Sequence, residues 1–154
     1  MLTKVKTEKV RAVAGEFVIV ASNYNARYVD AMVRSAKATL KAAGARRLRI
    51  VRVPGAYEVP VVAAKLARIA RPAAIICLGV ILRGETTHAA HIGDAVSRAL
   101  MQIQLEHEVP VIHEVLLLEN EQQAKVRCLG KDHNRGTEAA QTALAMAKVM
   151  AGLK

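Results

Sequence analysis

Three observations predict an α/β fold. Short apolar runs rich in β-branched residues, such as Phe17–Ala21 and Ala73–Leu82, recur along the chain. Segments with apolar residues at helical spacing separate them. The runs are nearly continuous rather than alternating, the pattern of strands buried on both faces of a parallel sheet. The expected architecture is therefore a three-layer α/β/α sandwich around a four-stranded parallel sheet, with flavodoxin-like winding.

The elements follow in order. Phe17–Ala21 is the first strand, and Ser22–Asn25 is a turn of helix-capping residues. Val29, Met32, Val33, Ala36, Leu40 and Ala43 mark the first helix, which Gly44 closes. Leu48–Val53 is the second strand, broken by Pro54–Gly55. Tyr57–Glu58 lies in the next turn, and Pro60 suits the first turn of a helix running to about Ala70. Ala73–Leu82 is the third strand. Ile92, Ala95, Val96, Ala99, Leu100 and Ile103 give the next helix its apolar face, and Pro110 ends that connection. Val111–Leu118 is the fourth strand and Glu121–Val126 a short helix. A polar loop, Gly130–Gly136, leads to a last helix carrying Ala140, Ala143, Leu144, Ala147 and Met150 on one face. No linker or repeat interrupts this order, so one domain is expected over residues 1–154, with residues 1–15 an N-terminal arm or an extra edge strand.

Composition narrows the function classes. The chain has 154 residues, of which 53% are hydrophobic and only 3% aromatic, so aliphatic side chains must build the core. No apolar run is long enough to span a bilayer, and residues 1–10 lack the layout of a signal peptide. Cys77 and Cys128 fit a reducing cytoplasm; Cys77 falls inside an apolar strand, and neither belongs to a CxxC pair. The net charge of +10 suggests an anionic partner, but the basic residues are dispersed and no RNA-binding aromatic signature interleaves with them. A solvated basic surface is expected, with no nucleic acid and no membrane as partner.

The chemistry-bearing residues fall at strand carboxyl ends, where open α/β sheets bind ligands. Tyr24 offers a flat face for a heteroaromatic ring. Glu58 offers an acceptor for ring N–H groups or sugar hydroxyls, and equally suits the first turn of a helix. Glu85 and Thr86 open toward a helix N-terminus, where backbone N–H groups favour an anion. His88 can give and take protons at neutral pH. His91 and Asp94 continue at three-residue intervals, but no further ligand supports a metal, and His91 is expected to face solvent or a neighbour. Arg127–Arg135 carries charge in a glycine-bearing loop, either a plain surface loop or a phosphate-binding one.

Four ordered blocks go beyond spacing: VASNYN (Val20–Asn25), VPGAYEVP (Val53–Pro60), GVILRGETTH (Gly79–His88) and GKDHNRGTEAA (Gly130–Ala140). With them the chain resembles the 6,7-dimethyl-8-ribityllumazine synthase family from about Phe17 to Met150. The resemblance implies condensation of 5-amino-6-ribitylaminouracil with 3,4-dihydroxy-2-butanone 4-phosphate, without a cofactor, in riboflavin biosynthesis. It implies that Tyr24 stacks on the pyrimidine and that Ala56, Tyr57 and Glu58 hold the ribityl chain. It implies that the backbone of Val80, Ile81 and Leu82 reads the uracil edge, that Glu85 and Thr86 cradle phosphate, and that His88 transfers protons. Arg127 would reach the phosphate from the adjacent subunit of a pentamer. Some members build sixty-subunit capsids, so a shell-forming protein with weakened or lost activity is the alternative. Four departures stand out. His113 takes the place of an aromatic beside the pyrimidine, Thr87 that of a proline and Arg135 that of a lysine. Glu85 replaces a small residue, and its carboxylate would repel phosphate unless the side chain turns away.

Overall fold

A computed structural model describes Thr3, Lys4, Lys6 and residues 10–153. The strands are β1 (Glu16–Ser22), β2 (Arg47–Val53), β3 (Ala74–Leu82) and β4 (Val111–Leu118). The helices are α1 (Ala26–Ala42), α2 (Val59–Ala70), α3 (His88–His107), α4 (Glu121–Ala124) and α5 (Arg135–Ala151). A 3-10 helix, Ala56–Glu58, precedes α2, and a π-helix, Lys125–Leu129, follows α4. All strand pairs are parallel and the order is β2-β1-β3-β4. The expected flavodoxin-like sheet is thus present, with each strand within a residue of its sequence-derived limits.

Strand periodicity divides the core into two layers. On β1, Phe17, Ile19 and Ala21 pack with Met32, Ala36 and Leu40 of α1 and with Ala140, Ala143 and Leu144 of α5. The intervening Val18 and Val20 pack on the other face with Ala63 and Leu66 of α2 and Val96, Leu100 and Ile103 of α3. The central strands β1 and β3 are buried almost throughout, which is why both read as continuous apolar runs. Each fully buried aliphatic side chain contributes roughly 1.5–3 kcal/mol.

The edge strand β2 is different, because alternate positions face water. Its arginines are matched to acids: Arg47 and Arg49 to Glu16, and Arg52 to Asp30 at 2.6 Å. Charge along an open edge discourages pairing with another strand. Residues 10–15 form no strand; Val10, Ala12 and Val13 lie against the α1–α5 layer, and the Ala12 N–H donates to the Ala43 carbonyl at 2.8 Å. The rest of the expected arm includes residues 1, 2, 5 and 7–9, which lie outside the described residues.

Two glycines set the packing. Gly44, at φ 91, occupies the left-handed region just past α1, as the helix-closing reading requires. Gly136, buried at the start of α5, lies against the α1 backbone, and a Cβ there would overlap the Met32 carbonyl. Asn134 caps the same helix: its Oδ1 accepts from the N–H groups of Gly136 at 2.9 Å and Thr137 at 3.2 Å. Its Nδ2 donates to the Cys128 carbonyl at 2.9 Å, fastening the π-helix that carries Arg127 to the start of α5.

Gly136→Ala must push α5 away from α1, because the overlap is with backbone and no rotamer relieves it. The expected loss is about 2–3 kcal/mol, measured by denaturant unfolding. A variant as stable as the parent would show that the two helices have slack.

Candidate active site

The four strand carboxyl ends open on one edge of the sheet, and the turns there are laced together. The N–H groups of Asn23 and Tyr24 donate to the carbonyls of Val53 and Pro54 at 2.7 and 3.0 Å, fixing the turn after β1 to the end of β2. Arg52 reinforces this link through Asn23 Oδ1 and the Ser22 carbonyl, both at 3.1 Å. The Arg83 N–H donates to the Leu118 carbonyl at 2.8 Å, joining the ends of β3 and β4.

Asn25 joins the two halves. It sits at φ 57, ψ 43, a left-handed conformation that asparagine tolerates. The sequence suggests a conventional side-chain cap, but no cap hydrogen bond forms. Its Nδ2 instead donates to the Val80 carbonyl at 2.7 Å, across to β3.

β1 pairs with β3 only as far as Leu78, whereas β4 continues alongside β3 to Leu82. Past Leu78 the β1-facing backbone of β3 has no strand partner. A cleft of about 910 Å³ opens there. Val80, Ile81 and Leu82 form its floor, and Tyr24 and Asn25 stand on the β1 side. Ala56, Tyr57 and Glu58 come from the 3-10 helix, and Thr86 and His88 from the approach to α3. Nine predicted site residues therefore line one cleft. Tyr24 is 74% exposed and Tyr57 64%, so both aromatics present their faces rather than fill the core.

Glu58 closes its own loop. Its Oε2 accepts from the Gly55 N–H at 3.0 Å, which orients the carboxylate while leaving acceptor capacity toward the cleft. The His88 N–H donates to Thr86 Oγ1 at 3.3 Å, and the His88 side chain is exposed at the first residue of α3. Glu85 is exposed and does not line the cleft, while its neighbours Gly84 and Thr86 do.

Two predicted residues lie elsewhere in the subunit. His113 is on β4, its Nε2 2.7 Å from Ser97 Oγ of α3. The Val115 N–H donates to His113 Nδ1 at 3.2 Å, so Nε2 carries the ring proton and donates to the serine. Partial burial lowers the pKa of this imidazole. Arg127 is on the π-helix, which packs against α1 and α5 on the opposite layer. The cleft also contains Asn25, expected only as part of a helix-capping turn, and His91, expected to face solvent or a neighbour. Among the described residues no lysine or arginine lines the cleft, and no three metal-ligating side chains converge.

A second titratable cluster lies on the α5 side of β4. Burial pushes the Glu114 carboxyl up to about 7; nearby Arg135 opposes the rise and Glu138 adds to it. Arg135 Nη1 is 2.9 Å from Glu138 Oε2, while its buried Nε has no partner. Cys77 and Cys128 are free, and burial is the main reason each thiol is raised to about 12, which leaves both unreactive at neutral pH.

The 6,7-dimethyl-8-ribityllumazine synthase family model matches residues 14–151. A protein of that name from Xanthomonas campestris pv. campestris (strain B100) is 40% identical over 143 residues, covering 92% of this chain and 93% of its own. One from Xylella fastidiosa (strain 9a5c) is 41% identical over the same coverage. A third, from Stenotrophomonas maltophilia (strain R551-3), is 40% identical over 139 residues, covering 89% and 90% of the two chains.

The raised Glu114 makes stability depend on pH. The folded chain holds this proton up to about pH 7, whereas an unfolded glutamate with the model value of 4.5 releases it earlier. Folding stability from this group is therefore full below the unfolded value and declines as pH rises through about 7. Glu114→Gln removes the decline, and above pH 7 it should stabilise the fold by roughly 1–3 kcal/mol. Unfolding midpoints measured from pH 4 to 8 test this; parallel profiles for the two proteins would contradict it.

Proposed function

The chain belongs to the 6,7-dimethyl-8-ribityllumazine synthase family, and from that premise we propose that its reaction takes place in the cleft past the ends of β1 and β3. It is a transferase of riboflavin biosynthesis. It condenses 5-amino-6-(D-ribitylamino)uracil with L-3,4-dihydroxy-2-butanone 4-phosphate to 6,7-dimethyl-8-ribityllumazine, releasing phosphate and water. The observation that carries the placement is the convergence of nine sequence-predicted residues on one cleft.

In this reading the pyrimidine stacks on Tyr24, whose exposed face supplies apolar area. The strand-free side of Val80–Leu82 offers backbone donors and acceptors to the uracil edge, less the Val80 carbonyl lone pair that Asn25 occupies. The ribityl chain runs along Ala56, Tyr57 and Glu58, with the oriented carboxylate accepting from hydroxyls. The phosphate sits at the amino end of α3, between Gly84 and His88, where backbone N–H groups and the helix dipole favour an anion. The substrate amine adds to the ketone, water leaves to give an imine, phosphate is eliminated, and a second amine–carbonyl closure forms the ring. These steps need positioning and proton movement, which the cleft and His88 supply without a nucleophilic side chain.

A phosphate dianion also favours a cation, and the described lining of the cleft has none. Arg127 of an adjacent subunit fills that role in our reading, in a homopentamer whose neighbour also brings His113 toward the pyrimidine. The outer face of α3 supports an oligomer: Met101 and Leu105 are 54% and 70% exposed. No described feature favours a capsid protein with a decayed site over the enzyme. Two free, buried cysteines suit a cytoplasmic setting.

Incubation with both substrates should generate the lumazine chromophore. His88→Ala should slow its appearance by roughly 100-fold or more while native mass stays unchanged. Correctly assembled protein that yields no lumazine would sink the proposal.

A further inference from the structure

His91 lies one helical turn beyond His88 on α3, and the two side chains share the face that lines the cleft. Other histidines are committed or distant. His113 is held by Ser97 and Val115, His133 Nδ1 is 3.0 Å from the Thr3 carbonyl oxygen, and His107 ends α3. The rings of His88 and His91 make no hydrogen bond or ion pair with the described residues, although the backbone N–H of each is satisfied by Thr86 Oγ1 and the Thr87 carbonyl. Small neighbours, Gly84, Ala89 and Ala95, leave room around them for substrate. The titratable groups facing this space are Tyr24, Tyr57 and Glu58, with Asp94 further along α3.

We propose that His91 is a second proton-transfer group of this cleft, paired with His88; the inference rests on the lumazine-forming reading of the site. Imine formation moves two protons at different atoms, and two imidazoles on one helix face can serve both at once. As the amine nitrogen bonds to the ketone carbon, protonated His88 gives a proton to the carbonyl oxygen and neutral His91 takes one from the nitrogen. The C–O bond then breaks: the hydroxyl leaves as water with the proton held by His91, and the remaining amine proton passes to His88 as the C=N bond forms. Both rings return to their starting states, and the net change is amine plus ketone to imine plus water.

The test compares the assembled wild-type protein with His91→Ala and His91→Gln across pH, following lumazine formation, and measures pyrimidine binding separately. Both variants should lower kcat by roughly 100-fold, lose one limb of the wild-type pH profile and bind pyrimidine within about twofold of wild type. Glutamine keeps a polar group but transfers no proton, so it should not rescue. Wild-type protein that makes lumazine while both variants keep kcat and both limbs overturns the inference alone. Loss of pyrimidine binding with an intact pH profile also overturns it, in favour of a role in shape. Wild-type protein that makes no lumazine removes the functional reading and the inference with it.

Discussion

The hydrogen bond from Asn25 Nδ2 to the Val80 carbonyl, 2.7 Å long, spans the point where the chain changes direction across the sheet. From β1 the chain winds outward to β2, then returns to β3 on the other side. Turns leaving β1 and β3 therefore diverge, and a crevice between them is unavoidable. Asn25 bridges that crevice at its base. It holds the left-handed turn that presents Tyr24 and consumes one of the backbone acceptors that β1 leaves unpaired on β3. The rest of the site is built around this fixed floor: the 3-10 helix closed by Glu58 on one side and the amino end of α3 on the other.

How much of this was legible depends on what each feature leaves in the sequence. The buried strands announce themselves, because a strand covered on both faces must be apolar at every position; Ala74–Leu82 is the clearest case. The helices follow from periodicity, and β4 coincides with its expected span, Val111–Leu118. The turns that carry polar residues could be located too, and nine of the residues singled out in them and at the end of β3 line one cleft. What was hidden depends on tertiary geometry. The π-helix at Lys125–Leu129 continues a segment that reads only as a short helix to Val126. The role of Asn25 requires knowing that Val80 lies opposite. His91 looked like a surface residue because α3's orientation decides which flank of its first turn meets the cleft. That Glu85 falls outside the cleft lining while Gly84 and Thr86 belong to it likewise depends on the loop's path.

Charge follows a consistent pattern. Despite the net charge of +10, many arginines have partners: Arg47 and Arg49 with Glu16, Arg52 with Asp30, Arg83 with Glu119 and Arg135 with Glu138. These pairs are exposed or half-exposed and each adds little to stability. Their value is geometric, since Arg52 and Arg83 tie neighbouring strand ends at the rim of the site. The cleft itself offers aromatics, backbone, a carboxylate and two imidazoles, with no cation among its described residues. That is an incomplete site for a phosphorylated substrate, and our account completes it with Arg127 from a second subunit.

The central claim is that one subunit's cleft works with the next subunit's arginine. Co-assembly of His88→Ala with Arg127→Ala tests it directly, because each variant lacks a different half of the site. Random placement around a ring restores intact pairs at about a quarter of the sites, so mixed oligomers should make lumazine far faster than either variant alone. Mixed oligomers no more active than the sum of the separate variants would contradict the account.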